Sequence, residues 1–214
     1  MGMLPILILA FATPAFSNDM SGVGRIEYLT GGTCSAVLIA PDVIATAAHC
    51  TRGDSETGAI FRPSDTRGGR LFPIERFVTH PLYDQNSARM EWQFRFDIAV
   101  GKLAEPVPDS RATPLPLGDD AEIGSTLSIV SWRGGDDRLR QKACPVIEGA
   151  PGLVTLGCAV HGGESGSPVL RQTENGFEVI AIISSRVNQF GQPAAQATNV
   201  RLRIPPILER LDTP

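Results

Sequence analysis

The sequence is divided into short apolar runs, which stop at glycine, proline or aspartate before they reach the length of a typical helix. Residues 35–40 (Ser-Ala-Val-Leu-Ile-Ala) form one run, Pro41-Asp42 ends it, and residues 43–46 begin the next. Two apolar runs on either side of a Pro-Asp turn are typical of a β-hairpin. The 22 glycines and 17 prolines of the chain favour many turns and short strands over long helices.

Further strand candidates follow the same pattern along the chain. They are residues 72–78, 94–103, 126–132, 152–156, 167–171 and 177–185. Asn175-Gly176 separates the last two and is a strong hairpin turn, because both residues tolerate positive φ. Many short strands without alternating helices predict an all-β fold, either a barrel or a sandwich.

Two segments depart from this pattern. Residues 201–211 favour a helix, since the prolines suit its first turn and apolar residues fall on one face. Residues 104–118 contain four prolines, which lack an N–H group and fix φ, so we expect an extended connector. We take this connector as the boundary between two domains, at residues 18–110 and 111–214.

Residues 1–17 are typical of a signal peptide. The apolar segment at residues 4–12 is too short to span a bilayer, and the small residues Ala15 and Ser17 suit cleavage before Asn18. A buried N-terminal strand and an uncleaved anchor are the alternatives, because no lysine or arginine precedes the apolar segment. A cleaved signal predicts a secreted or periplasmic protein without stable membrane insertion.

The charge of the chain argues against one class of partner. The formal net charge is −4 at pH 7, so there is no basic excess to neutralise the phosphates of a nucleic acid. With 214 residues, the chain can bury a sizeable core as one large domain or two small ones. The sequence has no phosphate-cradling loop, and nothing in it demands a metal or an organic cofactor.

Four cysteines, Cys34, Cys50, Cys144 and Cys158, allow three disulfide pairings. Export to an oxidising compartment favours disulfides over free thiols. Pairing in chain order is the simplest arrangement and closes two short loops, each worth about 3 kcal/mol if the bond is unstrained. A zinc site is the alternative, but the sequence has no Cys-x-x-Cys or His-x-x-x-His spacing.

Residues 162–168 (Gly-Gly-Glu-Ser-Gly-Ser-Pro) place Ser165 between small neighbours. A serine hydroxyl that attacks a carbonyl needs a base to take its proton and donors to hold the resulting oxyanion. Glycine allows a sharp bend in which nearby N–H groups turn toward one point. The N–H groups of Gly163 and Ser165 are therefore candidate oxyanion donors, although an ordinary surface turn could have the same sequence.

His49 and Asp97 are candidates for the base and for the group that orients it. His49 follows two alanines, which leave room for the imidazole to face a cleft, and histidine suits proton transfer near neutral pH. Asp97 stands among apolar residues, where a carboxylate is costly to bury without a hydrogen-bonding partner. Taken singly, His49 could be a core histidine and Asp97 could cap a turn.

Together the three motifs resemble the chymotrypsin/trypsin-like serine endopeptidases. Thr-Ala-Ala-His-Cys at residues 46–50, Asp-Ile-Ala-Val at 97–100 and Gly-Glu-Ser-Gly-Ser-Pro at 163–168 occur in that family's order of His, Asp and Ser. The resemblance covers most of residues 30–200. It implies two six-stranded antiparallel β-barrels, with the active site in the cleft between them.

The resemblance also implies a role for each residue. Ser165 would be the nucleophile, His49 the general base, and Asp97 the group that orients the imidazole. The N–H groups of Gly163 and Ser165 would form the oxyanion hole. The substrate would be a protein or peptide, hydrolysed through an acyl-enzyme, and we expect the protein to be a monomer.

The sequence departs from the family pattern around the nucleophile. Glu164 stands where the family usually has aspartate, which in the trypsin branch pairs with an N-terminus freed by cleavage. Arg25-Ile26 looks like such a cleavage point, but it lies too close to Cys34 for the usual route of that terminus. We therefore expect Glu164 to pair with an arginine or with the N-terminus left by signal cleavage. Ser167 replaces the usual second glycine, as is common in the bacterial branch of the family.

The specificity pocket is the least constrained part of the site. Ala159 occupies the position of the pocket base, where cleavage after lysine or arginine would require a carboxylate. Ser185 and Arg186 would form the pocket wall, and Arg186 would favour an acidic substrate side chain if it projects inward. A solvent-facing arginine is the alternative. We interpret His161 as peripheral and His80 as structural.

The alternative function is that of a non-catalytic, secreted protease-like domain that binds partners. Such domains usually lack one of the three catalytic residue types, so the presence of all three favours the enzyme. A phosphonate or sulfonyl fluoride that labels active-site serines would separate the two functions.

Overall fold

The computed structural model describes residues 19–51, 58–64, 69–133 and 138–211, which form two closed β-barrels. The strands of the first barrel are β1 (Val23–Tyr28), β2 (Thr33–Ala40), β3 (Val43–Thr46), β4 (Ala59–Pro63), β5 (Phe72–Thr79) and β6 (Ala99–Leu103). They are antiparallel neighbours in the order β1-β2-β3-β6-β5-β4, and β4 pairs with β1 to close the barrel.

The second barrel repeats this strand order. Its strands are β7 (Thr126–Trp132), β8 (Leu139–Ala150), β9 (Leu153–Leu156), β10 (Pro168–Thr173), β11 (Gly176–Gln189) and β12 (Gln192–Asn199). They are arranged as β7-β8-β9-β12-β11-β10, with β10 paired to β7. The predicted all-β fold of two six-stranded antiparallel barrels is therefore confirmed.

Turn residues determine where neighbouring strands reverse. Pro41-Asp42 joins β2 to β3, as the sequence predicts. Asn175-Gly176 lies at the reversal between β10 and β11, where Gly176 has a φ of 117°. A residue with a Cβ atom rarely adopts this conformation, so glycine fixes the position of the hairpin.

The strand predicted over residues 94–103 is wrong in its first half. The chain forms a helix, α1 (Met90–Phe96), and β6 begins only at Ala99. Phe96 is buried at the end of α1, and its ring packs against the imidazole of His80 with the ring centroids 4.8 Å apart. The alternating residues before Asp97 thus belong to a short helix with one buried aromatic side chain, and not to a strand.

The predicted C-terminal helix consists of two short helices, α2 (Val200–Arg203) and α3 (Pro205–Leu211). Pro205 has no N–H group to continue the hydrogen bonds of α2, so a new helix begins there. Ile207 and Leu211 of α3 are buried in a hydrophobic cluster that includes Val43 and Val100 of the first barrel. The end of the chain thus packs back onto the barrel that the chain forms first.

The proline-containing connector at residues 104–118 contacts both barrels. The N–H group of Leu115 donates to the carbonyl of Leu38, and that of Gly118 donates to the carbonyl of Val179. In its first half, the N–H groups of Ala104 and Val107 donate to the carbonyls of Pro73 and Pro41, so backbone hydrogen bonds hold the connector along its length. The division into domains at residues 18–110 and 111–214 stays a prediction.

Disulfides join Cys34 to Cys50 and Cys144 to Cys158, which is the pairing in chain order. The first bond connects the start of β2 to the segment after β3, and so closes the open end of their hairpin. The second bond connects β8 to the segment after β9.

The predicted signal peptide at residues 1–17 lies outside the described residues. Within the described part of the chain, no helix combines the length and the apolar composition that crossing a bilayer requires.

Candidate active site

A cavity of about 390 Å³ opens between the two barrels. The described residues that line it are His49, Tyr83, Gln85, Gln93, Phe94, Asp97, Val160, His161, Gly162, Ser165, Ile183, Ser184, Ser185 and Arg186. The predicted triad residues His49, Asp97 and Ser165 therefore face one cavity. Residues from both halves of the chain form its wall.

His49 and Asp97 are joined by two hydrogen bonds. His49 lies in a short 3-10 helix (Ala48–Thr51) just after β3, and Asp97 lies between α1 and β6. The Nδ1 atom of His49 is 2.7 Å from Oδ2 of Asp97, and the backbone N–H group of His49 donates to Oδ1 at 2.8 Å. The hydroxyl of Ser184, in β11, also donates to Oδ2, at 2.5 Å. These donors offset the cost of burying the carboxylate.

The contact with Asp97 determines which nitrogen of the neutral His49 ring carries the proton. A carboxylate only accepts hydrogen bonds, so Nδ1 donates and Nε2 is the basic nitrogen. Nε2 lies 3.8 Å from Sγ of Cys50. Among the described residues, no hydrogen bond joins Nε2 to the hydroxyl of Ser165. Catalytic hydrogen bonds are often loose without substrate and tighten in the Michaelis complex.

Ser165 lies in a tight turn before β10. Gly163 and Gly166 have φ values of 87° and 79°, a conformation that glycine adopts without a Cβ clash. The N–H group of Gly166 donates to the carbonyl of Ile183 at 2.8 Å. By contrast, the N–H groups of Gly163 and Ser165 donate to no described residue. These two donors are available to an oxyanion bound beside Ser165.

Ser35, in β2, holds the Ser165 turn against the first barrel. Its N–H group donates to the carbonyl of Ser165 at 2.7 Å, and its hydroxyl donates to the carbonyl of Gly163 at 3.1 Å. The same hydroxyl accepts a hydrogen bond from the N–H group of Trp132 at 3.0 Å. A Cβ atom on Gly166 would lie 2.1 Å from the carbonyl oxygen of Ser35, so this approach requires glycine. The role of Ser35 could not be predicted from the sequence, where its position next to Cys34 is the one indication.

Glu164 lies behind the turn with only 1% of its surface exposed. Oε1 accepts from the hydroxyl of Ser131 at 2.8 Å, and Oε2 accepts from the N–H group of His161 at 2.6 Å. The Nζ atom of Lys142 lies 3.2 Å from Oε1 and 3.1 Å from Oε2. Burial raises the pKa of Glu164, but the hydrogen bonds outweigh this effect and hold the pKa below its ordinary value.

The structure corrects the predicted partner of Glu164, because a lysine and not an arginine supplies the cation. Lys142 lies on β8, 22 residues before Glu164 in the chain. The sequence alone does not distinguish Lys142 as this partner, since several residues of β8 are charged and the strand is largely exposed. Arg25 and Ile26 both lie inside β1 and pair with β2 and β4, so cleavage between them would divide a strand of the first barrel.

Two of the three predicted residues of the specificity pocket line the cavity, and the role of all three stays a prediction. Ser185 and Arg186 line the cavity, and Arg186 is exposed. Ala159 is not among the described residues of the cavity wall. Its carbonyl accepts a hydrogen bond from Nζ of Lys142 at 2.6 Å, on the same side as Glu164.

The other two histidines differ in their surroundings. His161 is exposed and lines the cavity. His80 is buried, and its Nδ1 atom accepts a hydrogen bond from the N–H group of Leu82 at 3.1 Å. Burial, together with the nearby charges of Arg203 and Arg210, lowers the pKa of His80 to about 4. His80 is therefore neutral at pH 7.

One group of potential metal ligands lies at the site. The ligand atoms of Cys34, His49 and Cys50 are within 4.8 Å of one another. The two sulfur atoms are bonded to each other, however, so neither is a thiolate that could bind a metal. Disulfide formation and metal binding exclude each other here.

Comparisons with known proteins agree with this geometry. A family model described as Trypsin matches residues 15–202. A trypsin from Simulium vittatum is 25% identical over 105 residues, which are 46% of this chain and 40% of that protein. Kallikrein-2 from Homo sapiens is 29% identical over 111 residues, 46% of this chain and 41% of that protein. Chymotrypsin-like elastase family member 3A from Homo sapiens is 27% identical over 194 residues, 74% of this chain and 69% of that protein.

The alignments differ in extent from the family match. The chain spans about two fifths of the length of the first two relatives. All three relatives are eukaryotic, so the predicted relation to the bacterial branch has no support from them and stays a prediction. The family model, however, covers both barrels and all three motifs. This chain belongs to the trypsin family.

Proposed function

We propose that the protein is a secreted or periplasmic serine endopeptidase that hydrolyses peptide bonds with Ser165, His49 and Asp97. One observation carries the proposal: a carboxylate-bound imidazole faces a cavity that also contains a serine beside two unused N–H donors. The relatives named trypsin and chymotrypsin-like elastase support the same reaction class. The substrate is a protein or peptide.

In the acylation step, Oγ of Ser165 bonds to the substrate carbonyl carbon while its proton passes to Nε2 of His49. The carbonyl oxygen becomes an oxyanion held by the N–H groups of Gly163 and Ser165. A donor of this kind typically lowers the barrier by about 3 kcal/mol. When the tetrahedral intermediate collapses, the C–N bond breaks and the imidazolium gives its proton to the leaving amine.

In the deacylation step, His49 takes a proton from water as the water oxygen attacks the ester carbonyl. Collapse of the second intermediate breaks the bond to Oγ of Ser165, and the proton returns to that oxygen. Asp97 keeps the proton of the neutral ring on Nδ1 and stabilises the imidazolium in both steps. These steps use no metal and no organic cofactor.

The residue preference at the cut depends on the side chains that line the cavity. Arg186 and Ser185 line the cavity, and the one carboxylate among the described lining residues, that of Asp97, is already bound by His49 and Ser184. We therefore propose that an acidic residue before the cut is preferred over lysine or arginine. A peptide series that varies only this residue tests the preference, and faster cleavage after lysine would refute it.

A fluorophosphonate probe tests the proposed reaction directly. The wild-type protein should be labelled at Ser165, whereas Ser165→Ala should be neither labelled nor active, with an unchanged melting temperature. Ser167→Ala is the matched control, because the Ser167 hydroxyl is buried and forms no hydrogen bond with the described residues. Peptide cleavage by Ser165→Ala at a similar rate would refute the assignment. A folded wild-type protein that is never labelled would favour the non-catalytic binding domain.

A further inference from the structure

Glu164 stands between the two candidate oxyanion donors in the chain. The N–H group of Gly163 precedes it and the N–H group of Ser165 belongs to the peptide bond that follows it. The position of the Glu164 side chain therefore influences the orientation of both donors. Whatever holds this carboxylate in place also holds the oxyanion hole in shape.

The hydrogen-bonding capacity of the Glu164 carboxylate is fully used. A carboxylate has about four lone-pair sites, two on each oxygen. Ser131 and Lys142 donate to Oε1, and Lys142 and the N–H group of His161 donate to Oε2. No acceptor site is left for a further cation such as an α-ammonium group.

The ammonium group of Lys142 is satisfied in the same way. It has three protons to donate. Its acceptors are the two oxygens of Glu164 and the carbonyl of Ala159, at 3.2, 3.1 and 2.6 Å. Lys142 thus connects strand β8 to both ends of the segment from Ala159 to Glu164. The neighbouring strand β7 supplies Ser131, so the second barrel provides every side chain of this group.

The start of the described chain lies elsewhere in the fold. The hydroxyl of Ser21 accepts a hydrogen bond from the N–H group of Thr113 in the connector, and the Gly22 backbone packs against Thr113. Arg25 and Ile26 are paired inside β1. An N-terminus freed at Ile26 could reach Glu164 only if β1 gave up its pairing with β2 and β4.

We infer that Lys142 is a positioning residue that holds Glu164, and through it the oxyanion hole, so that activity requires no N-terminus freed by cleavage. The inference rests on the proposed function. Lys142 touches neither substrate nor reacting atoms, because its ammonium group binds the back of the turn. Its loss should impair the turnover step more than substrate binding.

Lys142→Met tests the role, since methionine keeps an unbranched side chain and removes the charge. We expect kcat to fall about 10²-fold, the effect of a lost oxyanion donor, with KM changed by less than about threefold. The rate of fluorophosphonate labelling should fall in parallel, and Lys142→Arg should restore most of both rates. Lys102→Met is the matched control, because Lys102 also pairs with a carboxylate, that of Asp42, but in the first barrel and on a more exposed surface. It should keep wild-type kcat.

The outcomes separate the inference from the proposed function. An active wild-type protein together with a folded Lys142→Met variant of equal kcat would overturn the positioning role alone. An inactive, unlabelled wild-type protein would overturn both proposals. If Lys142→Met does not fold, Lys142→Gln replaces it, because its amide can donate to Glu164 without carrying charge. Wild-type kcat in that variant would also overturn the role of the lysine charge.

Blocking the N-terminus tests the second half of the inference. Picolinaldehyde modifies the α-amino group of a purified protein selectively and leaves lysine side chains intact. Complete modification is verified by mass spectrometry. It should leave kcat within about twofold of the untreated value, because Lys142 and not an α-amino group pairs with Glu164. A loss of about tenfold or more would show that the N-terminus takes part, and would overturn the inference.

Discussion

Asp97 and Glu164 are two buried carboxylates of the candidate active site, and each needs hydrogen-bond donors to offset the cost of its burial. The donors come from different parts of the fold. Both are nearly inaccessible to solvent, and each accepts several hydrogen bonds. Asp97 takes its donors from both barrels, since His49 belongs to the first and Ser184 to the second. The donors of Glu164 all come from the second barrel.

The difference lies in what the partner can do. Asp97 holds an imidazole that borders the cavity and must gain and lose a proton during the proposed reaction. Glu164 holds an ammonium group that lies behind the turn and takes no part in the proposed proton transfers. A buried carboxylate can therefore orient either a reacting group or the backbone around it, and the exposure of its partner to the cavity tells the two roles apart.

Asp97→Asn should have the largest effect on catalysis. The asparagine amide can donate to Nδ1 of His49, which would place the ring proton on Nε2 and remove the base. We expect kcat to fall about 10⁴-fold with little change in the free energy of unfolding. Steady-state kinetics and urea denaturation measure the two quantities. A decrease of less than about tenfold in kcat would mean that Asp97 does not control the tautomer of His49.

Glu164→Gln should have its main effect on stability. It leaves the Lys142 ammonium group without its anion, at a position where only 28% of the side chain is exposed. We expect the free energy of unfolding to fall by about 3 kcal/mol, as for other buried ion pairs from which one of the two charges has been removed. Asp42→Asn is the control, because it breaks a more exposed pair with Lys102 and should cost less than about 1 kcal/mol. Equal losses in the two variants would remove the contrast that we draw between Glu164 and a surface pair.

Ser35→Ala should have a smaller effect, and it tests the link between the barrels. The variant removes a hydroxyl that donates to the carbonyl of Gly163 and accepts from the N–H group of Trp132. It keeps the backbone hydrogen bond from Ser35 to Ser165. We expect a loss of about 1 to 2 kcal/mol in unfolding free energy, because a buried N–H group is left unpaired. Ser64→Ala, whose hydroxyl donates to Met20 in the first barrel, should change stability less.

The two carboxylates also differ in how far the sequence reveals them. The motif around Asp97 points to its role, and so does the order of the three motifs along the chain. The partner of Glu164 could not be predicted, because Lys142 meets it only through the pairing of β7 with β8. Helix α1 was missed for a similar reason. Its one fully buried residue, Phe96, packs on His80 in a contact that no local pattern indicates.

The smallest expected effect is a difference in acid stability between the wild-type protein and Glu164→Gln. The pKa of Glu164 is lowered in the folded state from an ordinary value of 4.5. A carboxyl group whose pKa is lower in the folded state stabilises the fold. This contribution is complete above the pKa of the unfolded chain, and it is lost as the pH falls through the pKa of the folded state. The stability advantage of the wild type should therefore be constant from pH 7 to pH 5. Below about pH 4.5 it should shrink, by no more than about 1.4 kcal/mol per pH unit.

His80 provides the internal control for this measurement. Its folded pKa of about 4 lies below the ordinary value of 6.5, so its contribution to stability is full above pH 6.5 and falls between pH 6.5 and pH 4. This loss occurs in both proteins and cancels in their difference. Urea denaturation of the pair at half-unit pH steps isolates Glu164. If the difference already shrinks between pH 7 and pH 5, Glu164 is not the low-pKa anion that its hydrogen bonds with Ser131, Lys142 and His161 imply.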